Sequence, residues 1–323
     1  MKLLKYPYVV QTEILDHMNN SDLFELSLVS KKIRKLVKSS QMKRLKNTVS
    51  IMYDCCWLSG RPLVYIQYKE NSIMFYSKIF FFIPSENRTI IESIHNNFLY
   101  FFGNSVEYYW KTDNYKILIP RLENLSVCCR IRIPNKFEDL ENVDNFFTSH
   151  PVLKSIDLGF WADESLSPES ESRLYQVESI KISQYDLKLP PVLRNFQGKQ
   201  AILDCCLCQA SDLIEFVKRW KAGEAYQNLE HLKIRRRREE IPLDETLTAI
   251  GAQHIYATRK RPAHTLPKLF IEYAFEPTTD PITSHSYVVR ESDNRVASVL
   301  IQGKTLSFGV WDKTEEEFLR MVD

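Results

Sequence analysis

Seven cysteines, seven histidines and two arginine-rich runs are the residues of this chain best suited to chemistry. The cysteines stand at 55, 56, 128, 129, 205, 206 and 208. Neighbouring cysteines on a strand point to opposite faces, so such a pair does not close on one metal ion. Cys205 and Cys208 have a chelating spacing, yet no second pair and no matching histidine spacing accompanies them. They read instead as apolar core thiols kept reduced. The histidines at 17, 95, 150, 231, 254, 264 and 285 are scattered singly. There is no strained serine turn, no paired-histidine zinc motif, no phosphate loop and no dinucleotide glycine pattern. With eight glycines in 323 residues, material for phosphate-cradling loops is scarce. The sequence therefore offers no catalytic residues, no metal ligands and no cofactor site, and reads as a non-enzyme.

The arginine runs could do a different kind of work. Arg235, Arg236, Arg237 and Arg238 follow a strand pattern and precede Glu239 and Glu240. They are candidates for contact with a protein partner, although a solvated loop is the plainer explanation of such a run. Arg259, Lys260, Arg261 and Pro262 have the form of a nuclear-import run, with the same plain alternative. The formal net charge is only +2, and residues 1–46 hold ten Lys/Arg against four Asp/Glu. That balance disfavours nucleic acid as the partner. No apolar run approaches a membrane span, and no secretory signal pattern follows Met1. The compartment expected is the cytoplasm or nucleus.

The elements that must position these residues begin with three short helices. Val10, Ile14 and Met18 recur at helical spacing after Pro7, a residue tolerated at a helix start. Asn20 to Asp22 offer caps for a second helix, with Glu25 three residues beyond Asp22. Leu23, Leu26, Ile33 and Val37 continue the stripe, and Ser30 is placed to cap a third helix. Pro7, Ile14-Leu15, Met18, Asp22-Leu23 and Leu26 through Lys32 together resemble an F-box of the kind expanded in nematodes. Tyr6 stands where that family usually has leucine. The resemblance implies docking on a Skp-type adaptor, and through it on a cullin. The residues implied for that contact are Tyr6, Pro7, Ile14, Leu15, Leu23, Leu26, Val29 and Ile33.

Residues 47–119 read as a bridging, mostly-β meander: Val49, Ile51 and Tyr53 alternate, then Val64, Ile66 and Tyr68, and a further strand starts at Ile73 and Phe75. The aromatic run Phe98–Gly103 reads as a strand or core segment. From 120 to 265 an apolar-x-x-apolar-x-apolar pattern begins at Leu122, Leu153, Val177, Ile202 and Leu229, at intervals of 31, 24, 25 and 27 residues. Helical stretches at Phe137–Thr148 and Ser211–Gly223 lie between, the latter with Ser211 as its expected cap. The period predicts an irregular leucine-rich-repeat-like α/β solenoid, with a series of βα units in an open sheet as the alternative. Residues 266–323 then predict a capping antiparallel meander and a short terminal helix. The whole reads as α+β: an F-box at 1–46, a meander, a solenoid and a β cap.

A second resemblance lies in Asp212-Leu213, Phe216, Trp220, Gly223, Leu229 to Ile234, then Arg290, Asp293, Ala297 and Val310-Trp311. These residues are similar to the F-box-associated domain of the second type. With the F-box it implies a substrate-recognition subunit of an SCF-type cullin–RING ubiquitin ligase. The first helices would hold the adaptor and the remainder a target protein. A protein-binding scaffold acting without ubiquitylation is the alternative, and a nucleic-acid-binding module a third reading.

Overall fold

The computed structural model describes residues 3–55, 63–68, 88–114, 119–133, 145–146, 153–160, 173–184, 189–205, 208–256, 259–269 and 278–322. The expected strand at Ile73 and Phe75 and nearly all of the expected helix Phe137–Thr148 lie outside these residues. The chain falls into two compact units, Met1–Val127 and Cys128–Asp323. The regions expected at 1–46 and 47–119 lie in the first unit, and those at 120–265 and 266–323 almost wholly in the second.

In the first unit, helices α1 (Tyr8–Asp16), α2 (Asn20–Val29) and α3 (Lys31–Leu45) follow one another closely. Pro7 sits at the α1 N-cap with an extended backbone, where its missing N–H costs nothing. The α2 cap is Asn19, one residue before the expected candidates. Its side chain accepts the Asp22 N–H at 2.8 Å and donates to the Asp22 carboxylate at 2.8 Å. Ser30 caps α3 as expected, accepting the Ile33 N–H at 3.3 Å. Gln41 on α3 donates to Asp16 at the end of α1 at 2.6 Å, tying the two helices together.

Strand β1 (Thr48–Asp54) pairs antiparallel with β2 (Leu63–Tyr68), which is the expected hairpin. The chain then departs from a meander. It enters helix α4 (Arg88–Phe102) and returns as β3 (Glu107–Thr112), parallel to β1 on its other side. The run Phe98–Gly103 is thus the last turn of α4 and its terminating glycine, with φ 53° at Gly103. Ile91, Ile94, His95, Phe98, Phe101 and Phe102 are all buried, a stripe at helical spacing. Phe24 of α2 packs against Phe98, Phe101 and Phe102 with ring centroids at 5.3, 5.8 and 5.9 Å. Beside them the buried Asn97 amide donates to Ser27 at 2.8 Å.

In the second unit β5 (Leu153–Phe160), β6 (Ser179–Gln184), β7 (Gln200–Cys205) and β8 (His231–Arg236) run parallel in sequence order, with β4 (Leu125–Ile133) beside β5. The apolar patterns that begin at Leu122, Leu153, Val177, Ile202 and Leu229 fall on β4, β5, β6, β7 and β8, with Leu122, Val177 and Leu229 two or three residues before their strands. Helix Ala210–Lys221 connects β7 to β8. Its N-cap is Gln209 rather than Ser211, with the Asp212 carboxylate accepting the Gln209 N–H at 2.8 Å. Leu213, Phe216, Val217 and Trp220 are buried, and Gly223 ends the turn at φ 72°.

After the short strands β9 (Gln253–His254), β10 (Ala263–His264) and β11 (Ile282–Thr283), the C-terminal strands do not form a separate layer. β14 (Thr305–Thr314) pairs antiparallel with β8, from Thr305 opposite Arg235 to Gly309 opposite His231. β13 (Arg295–Gln302) and β12 (Ser286–Val289) continue the same sheet. Trp220 and Phe216 meet Phe308 edge-on at 5.1 and 5.2 Å, and the Arg290 guanidinium stacks over Trp220 at 5.1 Å. Arg290 also forks onto Asp293 at 2.8 and 2.5 Å, holding that carboxyl below its ordinary range. The architecture is mixed α+β, with a parallel run of strands extended by antiparallel ones.

Candidate interaction surfaces

Apolar side chains that water touches are concentrated at the N-terminus. Twelve large apolar side chains are exposed among the described residues, and six of them are Leu4, Tyr6, Tyr8, Val9, Val10 and Val29. Val9 is 76% exposed and Val29 70%. A monomeric surface tolerates scattered apolar residues, but five exposed apolar side chains among the seven residues from Leu4 to Val10 mark a contact region. The backbone beneath is ordered: the Tyr6 N–H donates to Leu3 O at 3.1 Å, and the Gln11 side chain donates to Tyr6 O at 2.7 Å.

The eight residues expected at the adaptor contact separate on this test. Tyr6, Pro7 and Val29 are exposed, and Ile14, Leu26 and Ile33 are partly buried. Leu15 and Leu23 are fully buried among the helices of this chain. They hold the helices together. Outside those eight, Leu4, Tyr8, Val9 and Val10 are exposed as well, Val10 from the helix face it was expected to share with Ile14 and Met18. The signal was the run Tyr8-Val9-Val10, since three consecutive apolar residues cannot all face inward from one helix turn.

The four arginines also separate. Arg236 is buried at 6% exposure and donates to Cys208 O at 2.8 Å, Glu240 O at 2.9 Å and the Glu239 carboxylate at 2.8 Å. It is a structural brace and not a free contact residue. Arg235, Arg237 and Arg238 are exposed. Arg235 Nε lies 4.0 Å from Asp204, while Arg237 and Arg238 have no ion-pair partner among the described residues. In the other basic run, Lys260 and Arg261 are exposed and Arg259 lies over the Tyr256 ring at 6.0 Å.

The groups capable of proton or metal chemistry sit in packing roles. His95 accepts from Tyr53 at 2.9 Å and donates to Glu123 O at 2.8 Å, and burial lowers its pKa. His231 is buried with its pKa pushed down to about 4, chiefly by desolvation and then by the neighbouring His264. His264 donates to Val310 O at 2.9 Å and is likewise lowered by burial. Cys55, Cys128, Cys129, Cys205 and Cys208 are buried. The Cys208 thiol is raised, first by its hydrogen bond with Cys205 and then by burial, which disfavours the reactive thiolate. Among the described residues no cluster of His, Cys, Asp or Glu is placed to hold a metal ion, and no helix is long and apolar enough to cross a membrane.

A family model, the F-box domain, matches residues 7–45. Those limits coincide with the α1 cap at Pro7 and the last residue of α3, Leu45. F-box domains generally bind Skp-type adaptors in SCF complexes, where the proteins bearing them are generally non-catalytic adaptors that recognise substrates. Comparison with curated proteins and with solved structures found no match.

Proposed function

We propose that this chain is the substrate-recognition subunit of an SCF-type cullin–RING ubiquitin ligase. The F-box helices dock on a Skp-type adaptor, which joins them to the cullin, and the second unit holds the target protein. The observation that carries this reading is a coincidence. The segment matched as an F-box domain, residues 7–45, leaves Tyr8, Val9, Val10 and Val29 exposed, and Leu4 and Tyr6 are exposed just before it.

Pro7, Val9, Val10 and Val29, with Tyr6 and the outer faces of Ile14, Leu26 and Ile33, enter the adaptor groove as helix-borne anchors. Burying each such side chain contributes about 1.5–3 kcal/mol at most, before the cost of association. The contribution to ubiquitin transfer is proximity: a target tethered beside a charged conjugating enzyme meets it at high effective concentration. The resemblance of roughly residues 115–311 to an F-box-associated domain supports assigning target binding to the second unit.

The test is co-purification of the full chain with a Skp-type adaptor, followed by a reconstituted ubiquitylation assay on captured proteins. Capture of the adaptor with transfer to a co-captured protein is expected. Capture without any transfer would favour a scaffold acting outside ubiquitylation. Failure of the folded chain to bind the adaptor would remove the reading altogether.

A further inference from the structure

We infer that the end of the second unit formed by Arg235, Arg237, Arg238 and Lys304 receives an Asp/Glu-rich segment of the target protein. The inference rests on the assignment of target binding to this unit and names the chemistry of what is bound.

The charge there is local rather than general. Residues 128–323 hold 26 Lys/Arg against 30 Asp/Glu, so a cluster of uncompensated cations runs against the balance of its own unit. Within residues 235–240 there are four arginines and two glutamates, and one glutamate is committed to the buried Arg236. Arg237 and Arg238 are left without an acidic partner among the described residues. Lys304 is exposed beside them and donates to Arg237 O at 3.2 Å.

The cluster is also held in place. Arg236 N donates to Lys304 O at 2.8 Å, Arg237 N to Cys205 O at 3.0 Å, and Ile241 N to Gly303 O at 2.9 Å. Together with the Arg236 side chain, these bonds stitch the arginine loop to the β13–β14 turn and to the end of β7. A fixed backbone leaves only side-chain ordering to oppose binding. The position is the carboxyl end of adjacent parallel strands, with Cys205 of β7 opposite Arg236 of β8. Open sheets with parallel strands take ligands at that end.

The anions already seated here are carboxylates: Asp204 near Arg235 and Glu239 on Arg236. Guanidinium forks match that planar group, and an incoming acidic side chain repeats the pattern on Arg237 and Arg238. The cations occupy one strand end and one turn, too small a track for a nucleic-acid backbone.

The experiment is fluorescence anisotropy of the full chain with a labelled peptide of alternating Glu and Ser. Its controls are the same peptide with Lys for Glu, and a short single-stranded DNA. Wild type is expected to bind the Glu peptide and not the Lys peptide. The exposed double variant Arg237→Glu/Arg238→Glu should bind at least about tenfold more weakly, roughly 1.4 kcal/mol. No binding of the Glu peptide by wild type would overturn the inference, as would equal binding by the variant or tighter binding of the DNA. Adaptor capture is measured on the same samples. Its failure in wild type would remove the proposed function while the peptide result still judged this surface.

Discussion

The three N-terminal helices and the β8–β14 region treat apolar side chains in opposite ways. Around Trp220, the helix Ala210–Lys221, β8 and β14 close over Phe216, Trp220, Leu232 and Phe308 until almost nothing apolar is left outside. Arg290 beside that layer is engaged by Trp220 and Asp293. In α1–α3 the inner residues Leu15, Leu23, Phe24, Leu36, Val37 and Leu45 are equally well buried, yet Val9, Val10 and Val29 stand in water. Two units of one chain thus leave different features uncovered: an apolar patch in the first and, in a second unit of acidic overall balance, a local cluster of exposed arginines. A surface that folding leaves uncovered in a patterned way is a statement about what covers it later.

The comparison can be broken first at its cores. Trp220→Ala removes a fully buried ring contacting Phe308 and Arg290, and should cost about 3–5 kcal/mol in denaturant unfolding of the second unit. Leu15→Ala should cost about 2–5 kcal/mol in the first. A loss in adaptor binding from Leu15 or Leu23 variants therefore reports unfolding rather than contact. If Leu15→Ala left stability unchanged, the separation of core from contact residues would fail.

Acid should act on the second unit through His231. Its folded pKa, about 4, lies below the ordinary histidine value near 6.5, so the unfolded chain binds the proton first. Its contribution to stability is complete above about pH 6.5 and is lost as pH falls toward 4, at up to about 1.4 kcal/mol per pH unit. Lys233, Asp280 and His264 are the charged or titratable neighbours that set this slope. His231→Gln should flatten it in urea midpoints measured between those pH values, and an unchanged slope would assign the acid sensitivity elsewhere.

Smaller effects come from the caps. Ser30→Ala removes the acceptor for the Ile33 N–H and should cost about 1 kcal/mol. Smallest of all, Val29→Asp should change stability by no more than about 0.5 kcal/mol, because the side chain is already in water. A large loss from Val29→Asp would mean that this residue belongs to the core.

Much of this was readable in the residues, and the failures have physical causes. The spacing of Leu153, Val177, Ile202 and Leu229 marked four parallel strands correctly, because each buried strand repeats its apolar pair. What the spacing could not convey was where the C-terminal strands go. β14 sits beside β8 through backbone pairing, which leaves no trace in side-chain pattern. Helix α4 was hidden because Phe98–Gly103 was taken without the turns before it, and only from Ile91 onward does the 3.6-residue stripe show. The caps at Asn19 and Gln209 fell within two residues of those expected, since several polar residues in a row can each serve. At the candidate surfaces, residue type marked the right neighbourhoods but could not tell Arg236 from Arg237, or Leu15 from Ile14. Burial decides both, and burial is tertiary.

The most direct measurement is a titration of the full chain against a Skp-type adaptor, comparing wild type with Val9→Asp/Val29→Asp. Both positions are exposed, so the variant should unfold at the same denaturant concentration as wild type. Saturable binding by wild type and at least about a tenfold loss in the variant is the expected result. Equal affinity in the two proteins, with folding intact in both, would contradict the assignment of the exposed α1–α2 residues to the adaptor.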